Sequence, residues 1–193
     1  MNRFYNFIFS LALPLCAVFY PRRTKLLSPL PDGAAIVCAN HSNYIDPFLI
    51  ALTVGREHQL HYMAKEELGK NPLLRGFLNR MGAFFVSRGK NDLGAIKTAI
   101  GLLRKGEKVG IFPEGTRVGE DDAVAAKNGA VRLAMRLHVP LVPVFITRNK
   151  KLFRKLDVVV GEPYMIEADA DMQTQTEELM RRIRALDPAR QCV

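Results

Sequence analysis

Apolar runs and amphipathic stretches alternate along the chain from residue 34 to residue 186. Short continuous apolar runs are typical of strands buried on both faces, whereas apolar positions three and four residues apart mark one face of a helix. The continuous runs predict strands at residues 34–39, 60–64, 83–87, 109–112, 141–147 and 156–160. The helical spacing predicts helices at residues 47–54, 71–80, 93–103, 123–137 and 172–186. Strands separated by helices indicate an α/β fold, with a mixed, partly parallel sheet that is flanked by helices.

The first 27 residues form a hydrophobic segment with a basic flank at residues 22–25. The 18 consecutive uncharged residues from Phe4 to Pro21 are at the lower limit for a spanning helix, which needs about 20. Large side chains recur at helical spacing, namely at Phe4, Phe7, Ile8, Leu11, Leu15, Val18 and Phe19. This pattern favours an amphipathic helix in the membrane interface, with the cations against anionic headgroups. A short spanning helix and a buried core helix stay open as alternatives.

We therefore expect residues 1–27 to form a membrane-associating helix with its flank, and residues 28–193 to form one further domain. The length of 193 residues fits this division, because single cores usually span 100–200 residues. No repeat or second boundary interrupts the alternation after residue 28. The expected location is the cytoplasmic face of the cell membrane.

Charge adds a second constraint, because 28 Lys and Arg residues against 19 Asp and Glu residues leave a net charge of +9. Such a surface favours phosphate, on nucleic acid, on an anionic bilayer or on a small substrate. The basic segment Arg148–Lys155 is predicted as a solvated turn that faces anionic lipid or a donor phosphate. Nucleic acid is not expected, since the chain has no Trp and no RNP-like aromatic series. The three scattered cysteines match neither a disulfide framework nor a zinc site, so no metal is expected.

A His-x4-Asp pair follows the first predicted strand of the domain, with His41 and Asp46 at its ends. On a regular helix these side chains would point about 140° apart, so they meet only across a turn. Asp46 would then fix the imidazole tautomer and leave the other nitrogen as a general base toward a hydroxyl of the substrate. Asp46 also precedes Pro47 at a predicted helix start, where it fits an N-cap. Both roles stay open.

Two further strand ends carry arginines. The segment Phe112–Arg117 reads Phe-Pro-Glu-Gly-Thr-Arg, in which the glycine permits a tight turn and the arginine suits a phosphate. Within it, Glu114 is expected to orient either Arg117 or a substrate hydroxyl. The segment Gly82–Arg88 ends another strand in Ser-Arg, and Arg88 beside Arg117 would complete a phosphate clamp.

These motifs resemble those of the glycerolipid acyltransferase family, and within it those of the bacterial 1-acyl-glycerol-3-phosphate acyltransferases. The resemblance covers residues 34–147 and also includes the Val-Pro-Leu-Val-Pro-Val stretch at residues 139–144, with weaker matches at residues 64–68 and 127–130. It implies transfer of an acyl group from a thioester, on coenzyme A or on acyl carrier protein, to the sn-2 hydroxyl of a lysophospholipid. The product would be phosphatidic acid, and no cofactor beyond the thioester co-substrate is implied.

The resemblance also assigns roles to individual positions. His41 would be the general base and Asp46 its orienting partner. The acceptor phosphate would be held by the arginines, with a pocket shaped by the turn between the strand and Arg117; these substrate-binding residues are Arg88, Glu114, Gly115, Thr116 and Arg117. Backbone N–H groups around Gly115 are candidates for stabilising the oxyanion.

Other readings of the chain remain open. Another lysophospholipid is an alternative acceptor, and a non-catalytic module that binds anionic lipid is an alternative function, although it has no use for a His41–Asp46 pair. Cys38 lies close enough to His41 to suggest a nucleophile, but its apolar strand favours a small buried side chain.

Overall fold

The computed structural model describes residues 3–86, 93–119, 124–167 and 169–190. Seven strands are present in the described ranges, namely β1 (Arg22–Leu26), β2 (Ala35–Ala39), β3 (Leu60–Lys65), β4 (Phe84–Val86), β5 (Lys108–Ile111), β6 (Leu141–Ile146) and β7 (Leu156–Val160). Six α-helices accompany them, namely α1 (Arg3–Phe19), α2 (Asp46–Val54), α3 (Pro72–Arg80), α4 (Leu93–Arg104), α5 (Gly129–Leu137) and α6 (Met172–Ala185). Short 3₁₀ turns follow β3 at Glu66–Lys70 and α6 at Pro188–Arg190.

The strands form one sheet in the order β1-β7-β6-β2-β5-β3-β4. The strands from β6 to β4 run parallel, and the hydrogen-bonded register pairs β2 with β6 on one side and with β5 on the other. Strand β7 is antiparallel to β6, and β1 is parallel to β7. The sheet is therefore mixed and mostly parallel. The carboxyl ends of β2, β5 and β6 lie at one edge, which is where open α/β sheets usually place their sites.

Both faces of the sheet are covered, because alternate side chains of each strand point to opposite sides. On one face, Val37 and Val144 join a buried cluster with residues of α1 and α2. On the other, Cys38 and Val109 pack in a second cluster against α4, α5 and α6. Central strand β2 is buried at every position. This agrees with the α/β sheet and flanking helices that the sequence predicts.

Helix α1 packs one side against the first cluster through Tyr5, Phe9 and Cys16. Its opposite side leaves large apolar side chains in solvent, among them Phe7 and Leu11, which are more than half exposed. The helix is thus apolar on both sides, with only one side used for packing inside the chain. Within the described ranges, the structure contains no helix with the length and apolar character needed to cross a membrane.

The predicted strands and helices are found within a few residues, with two differences. Residues 22–26, which the sequence analysis treats only as a basic flank, form β1 by pairing with β7. The helix predicted at residues 123–137 begins only at Gly129. Residues 124–127 are not helical; there the Lys127 amide donates a hydrogen bond to the Pro113 carbonyl, which ties this segment to the loop after β5.

Candidate active site

The loop after β2 is fixed at its start by the buried side chain of Asn40. Its amide nitrogen donates to the Ile146 carbonyl over 2.7 Å, and its amide oxygen accepts from the Ile146 N–H over 2.9 Å. The side chain thereby continues the pairing of β2 with β6 by one residue. Both partners of the Asn40 side chain are backbone groups of Ile146 in the buried strand β6. The next residue, His41, therefore leaves the sheet edge at a fixed position.

His41 and Asp46 meet across this loop. The Nδ1 atom of His41 lies 3.0 Å from Oδ2 of Asp46, and the same carboxylate oxygen accepts the N–H groups of Ser42 and Asn43, each over 2.8 Å. An ionised carboxylate only accepts hydrogen bonds, so Nδ1 carries the proton and Nε2 is left as the basic nitrogen. Asp46 is not the side-chain cap of α2, whose N-cap residue is Ile45. Its carboxylate turns back toward the loop instead.

Lys150 completes the surroundings of this carboxylate. Its Nζ lies 2.7 Å from Oδ1 of Asp46 and donates to Oγ of Ser42 over 2.8 Å, and both charged side chains are fully buried. Burial alone would raise the pKa of Asp46, but the hydrogen bond from His41 and the Lys150 charge hold that pKa below its ordinary value. Burial lowers the pKa of Lys150, and Asp46 opposes this effect. The pair is therefore a buried carboxylate and ammonium in direct contact.

Glu114 links the loop after β5 to the loop after β2. Its buried carboxylate accepts the backbone N–H of His41 over 2.8 Å and pairs with the guanidinium of Arg148. Arg148 also donates to the Val118 carbonyl, and the Val118 N–H donates to the His41 carbonyl over 2.8 Å. Glu114 thus holds the His41 backbone. The sequence predicts that it orients either Arg117 or a substrate hydroxyl, and its side-chain contacts here are with His41 and Arg148.

The ring of His41 is held from the side by aromatic residues. It stacks on Phe112 with centroids 4.1 Å apart and an interplanar angle of 19°. Tyr62 of β3 continues the stack at 5.6 Å from Phe112. Tyr62 requires Gly110 opposite it on β5, because a Cβ at that glycine would lie 2.2 Å from the tyrosine ring. The stack fixes the plane of the imidazole while Asp46 fixes its rotation.

The turn at residues 112–117 has the shape that its glycine predicts. Gly115 has a φ of +66°, and its N–H donates to the Phe112 carbonyl over 2.9 Å, so that amide is used by the turn and is not available to an oxyanion. Thr116 and Arg117 are exposed beyond the turn. The guanidinium of Arg117 stacks over the ring of Tyr44 at 3.6 Å, on the same side as the His41 loop.

The remaining predicted residues are placed as follows. Arg88 lies outside the described residues. Cys38 is fully buried on the opposite face of β2 from the dyad, and burial raises the pKa of its thiol far above the ordinary range. A buried, protonated thiol is inert, which agrees with a packing role. No group of three or more metal-ligating side chains is found in the described ranges.

Lys150 and Arg148 are parts of the site that the sequence does not predict. The sequence predicts a solvated basic turn for both, whereas Lys150 is buried and Arg148 is ion-paired inside the loop cluster. The signal available in the sequence is their position directly after β6, a strand whose carboxyl end adjoins that of β2. The uncharged residues between these five clustered cations do not indicate which of the cations turn into the site.

A groove of about 1010 Å³ is lined by Glu114 and Asn40, by residues of strands β1, β6 and β7, and by the C-terminal part of α6. Phe145 and Val159 are apolar parts of its lining. Five cations also line it, namely Arg23, Lys25, Arg148, Arg184 and Arg190. Three of them face acidic side chains in ion pairs, whereas Lys25 and Arg184 have none among the described residues. The groove therefore offers positive charge on the α6 face of the sheet, whereas His41 stacks on Phe112, which packs against the opposite face; Glu114 belongs to both the groove and the His41 loop contacts.

The chain belongs to the acyltransferase family, since the family model described as Acyltransferase matches residues 22–147. It is 40% identical over 172 residues to the 1-acyl-sn-glycerol-3-phosphate acyltransferase of Bacillus subtilis strain 168, covering 82% of this chain and 83% of that protein.

Other relatives are longer than this chain or more distant from it. The probable 1-acyl-sn-glycerol-3-phosphate acyltransferase of Mycoplasma genitalium is 31% identical over 61% of this chain, which matches 45% of that protein. The crystal structure of the 1-acyl-sn-glycerophosphate acyltransferase PlsC of Thermotoga maritima superposes with a TM-score of 0.69 over 95% of this chain and 78% of that chain, at 22% identity. This structural similarity confirms the fold.

Proposed function

We propose that the protein transfers an acyl group from a thioester to the free sn-2 hydroxyl of 1-acyl-glycerol-3-phosphate, forming phosphatidic acid. The observation that carries the proposal is the His41–Asp46 pair, in which a buried carboxylate fixes Nδ1 and leaves Nε2 basic. The 40% identity to the B. subtilis enzyme supports the choice of acceptor. A module that only binds lipid does not need a buried dyad that is clamped by two loops.

The proposed reaction is a direct transfer. The acceptor hydroxyl attacks the thioester carbonyl as its proton moves to Nε2 of His41, which gives a tetrahedral oxyanion and an imidazolium that Asp46 stabilises. The C–S bond then breaks, and the thiolate leaves with the proton from Nε2. The products are an ester and a thiol, and the dyad returns to its starting state. The buried thiol of Cys38 takes no part.

Arg117 is proposed to bind the acceptor phosphate. It is exposed on the turn that also supplies Glu114, and its guanidinium is held over Tyr44 with its N–H edge free of a carboxylate among the described residues. A planar fork of donors suits a phosphate group. Arg88 is proposed as the second arginine from its position in the motif. Gly115 and Thr116 shape the turn that carries Arg117.

The donor is proposed to lie in the groove behind Glu114. Coenzyme A and acyl carrier protein both present the acyl group on a phosphopantetheine arm. Lys25 and Arg184, the two groove cations without an acidic partner in the described part of the chain, suit its phosphate. Lys25→Gln and Arg184→Gln are expected to raise KM for the donor several-fold and to leave KM for the acceptor unchanged, with Lys105→Gln, which is exposed outside the groove, as control. Parallel assays with acyl-CoA and acyl carrier protein identify the donor. An unchanged donor KM in both assays would place the arm elsewhere.

Membrane association is proposed through the outer side of α1. Phe7, Leu11, Leu15 and Val18 are each more than half exposed on this side. Leu73 of α3 is 84% exposed, and α3 lies beside α1, where Phe4 contacts Phe77 edge to face at 6.2 Å. Exposed apolar surface of this kind is typical of interfacial binding. The enzyme would then meet its lipid acceptor at the cytoplasmic face of the cell membrane.

The test is release of free thiol from acyl-CoA, and from acyl carrier protein loaded with an acyl chain, in the presence of a panel of lysophospholipids. Release is expected with 1-acyl-glycerol-3-phosphate, and His41→Ala is expected to abolish it while the fold is kept. His138→Asn is a suitable control, because His138 is exposed and Asn tolerates its left-handed backbone. Release with a different acceptor alone would change the substrate, and no release with any pair would favour the lipid-binding module.

A further inference from the structure

We propose that Lys150 is a positioning residue of the dyad, which holds Asp46 as an anion and keeps the His41 imidazole unprotonated in the resting enzyme. This inference rests on the proposed function, in which Nε2 of His41 must be free to take the hydroxyl proton. It gives a role to a side chain that lies outside the motifs of the sequence.

The contacts of Lys150 are specific to the dyad. Its Nζ lies 2.7 Å from Oδ1 of Asp46, the carboxylate oxygen that His41 does not use, and 2.8 Å from Oγ of Ser42. The hydroxyl of Ser42 in turn donates to the Arg148 carbonyl over 2.8 Å, which also accepts the N–H of Lys150. The ammonium is thus tied both to the carboxylate and to the loop that carries it.

The burial of both charged side chains favours a chemical role for Lys150 over a purely stabilising one. The side chains of Lys150 and Asp46 are both fully buried. In many proteins, the free-energy cost of removing two charges from water is as large as the free energy gained from their attraction. Apolar residues of similar volume often replace such a pair without loss of stability. A stability role alone is therefore a weak explanation for an ammonium at this position, whereas control of the adjacent imidazole is a chemical one.

The electrostatic consequence has a definite sign. A carboxylate at 3.0 Å favours the charged imidazolium of His41, and an ammonium on the other oxygen of that carboxylate opposes it. With Lys150 present, the carboxylate, the ammonium and a neutral imidazole sum to zero charge, so a second buried cation is disfavoured. Without Lys150, the resting imidazole would take a proton at a higher pH and lose its function as a base.

The other ionisable groups around the dyad leave this sign unchanged. Glu114 accepts the His41 N–H but is paired with Arg148, so the two contribute opposite charges. Tyr62 of β3 lies behind Phe112, and burial raises its pKa well above the ordinary value, so it stays neutral. Arg117 is exposed over Tyr44, where solvent screens its charge.

The test compares Lys150→Met with Lys151→Met, since Lys151 is the exposed neighbour. The pH dependence of kcat/KM is measured from pH 5.5 to pH 9.5 for each variant, with the same donor and acceptor. For Lys150→Met, the fall of kcat/KM at acidic pH is expected to begin about one pH unit higher than in the wild type. At a pH below that fall, kcat/KM is therefore about tenfold lower than in the wild type, and at pH 9 it is little changed. Lys151→Met is expected to follow the wild type. Lys150→Arg, which keeps the charge, is expected to keep the acid limb in place.

Two results would overturn the inference. A loss by the same factor at every pH means that Lys150 only supports packing, and an unchanged profile means that it does not act on His41. If Lys150→Met does not fold, Lys150→Gln is used, because it keeps N–H donors without the charge. Titration of the ¹⁵N-labelled histidine ring of His41 in each variant reads the same protonation without turnover. It decides the inference even if no thiol is released, so failure of the proposed function is recognised separately.

Discussion

The buried contact between Asp46 and Lys150 predicts strong energetic coupling between these two residues. Asp46→Asn leaves a buried ammonium without its counterion, and Lys150→Met leaves a buried carboxylate without its counterion. The double variant Asp46→Asn with Lys150→Met removes both charges at once. Each single change is therefore expected to destabilise the fold strongly, and the second change is expected to add little to the first.

The size of the effect follows from the distance and the burial. Charges 2.7 Å apart attract by about 6 kcal/mol at an effective dielectric constant of about 20, and much of this offsets their desolvation. Removing one partner of a buried pair costs about 4 kcal/mol. For a chain of this length, that corresponds to a fall in Tm of about 8–16 °C. The double variant is expected to be about 3 kcal/mol more stable than the sum of the single effects.

The assay is urea unfolding followed by circular dichroism, with the free energy of unfolding extrapolated to water for the four proteins of the cycle. The matched control is the pair of Glu66 and Arg75, whose charged atoms lie 2.8 Å apart but whose side chains are more than two fifths exposed. Coupling there, measured with Glu66→Gln and Arg75→Met, is expected to stay below about 1 kcal/mol. Additive effects at Asp46 and Lys150, or equal coupling in the two cycles, would refute the reasoning from burial.

The same double-mutant cycle predicts how the free energy of unfolding changes at acidic pH. The pKa of Asp46 is held below its ordinary value, so its contribution to stability is complete above the unfolded carboxyl pKa of about 4. It is lost as the pH falls through the lower pKa of the folded state. The stability advantage of the wild type over the double variant is therefore expected to shrink below about pH 4, as measured by urea unfolding at pH 3 and pH 6.

Three further predictions concern the surroundings of the site. Cys38→Ser is expected to keep acyl transfer, because the thiol is buried away from the dyad; loss of activity in a folded variant would restore the nucleophile reading. Arg117→Gln is expected to raise KM for the phosphate-bearing acceptor about tenfold, with exposed Arg136→Gln as control, and an unchanged KM would remove Arg117 from the phosphate site. Phe7→Glu combined with Leu11→Glu is expected to abolish sedimentation with anionic vesicles while the melting curve is kept, and retained sedimentation would exclude the outer side of α1 as the membrane-binding surface.

Local pattern predicted much of the fold because most elements carry their own signal. The apolar runs at residues 34–39, 141–147 and 156–160 form strands β2, β6 and β7, which lie inside the sheet and in which every position except Asp157 is buried. Strand β1 has no such signal: four of its five residues are exposed, and it forms because β7 offers it an edge to pair with. The late start of α5 has a similar cause, since Lys127 bonds to the Pro113 loop instead of extending a helix.

The candidate site, like the fold, was only partly predictable from the sequence. The sequence by itself predicted that His41, Asp46 and the turn that ends at Arg117 form the site, because these residue types occur at this spacing in the motifs that the chain resembles. Only the tertiary structure decided that Asp46 bonds to the loop rather than capping α2, that Glu114 holds the His41 backbone, and that Lys150 is buried on the carboxylate. Glu114 and His41 are 73 positions apart, and Lys150 also donates to Ser42, 108 positions away. Burial and pairing at such separations depend on which strand ends the sheet places side by side, and the local sequence does not carry that information.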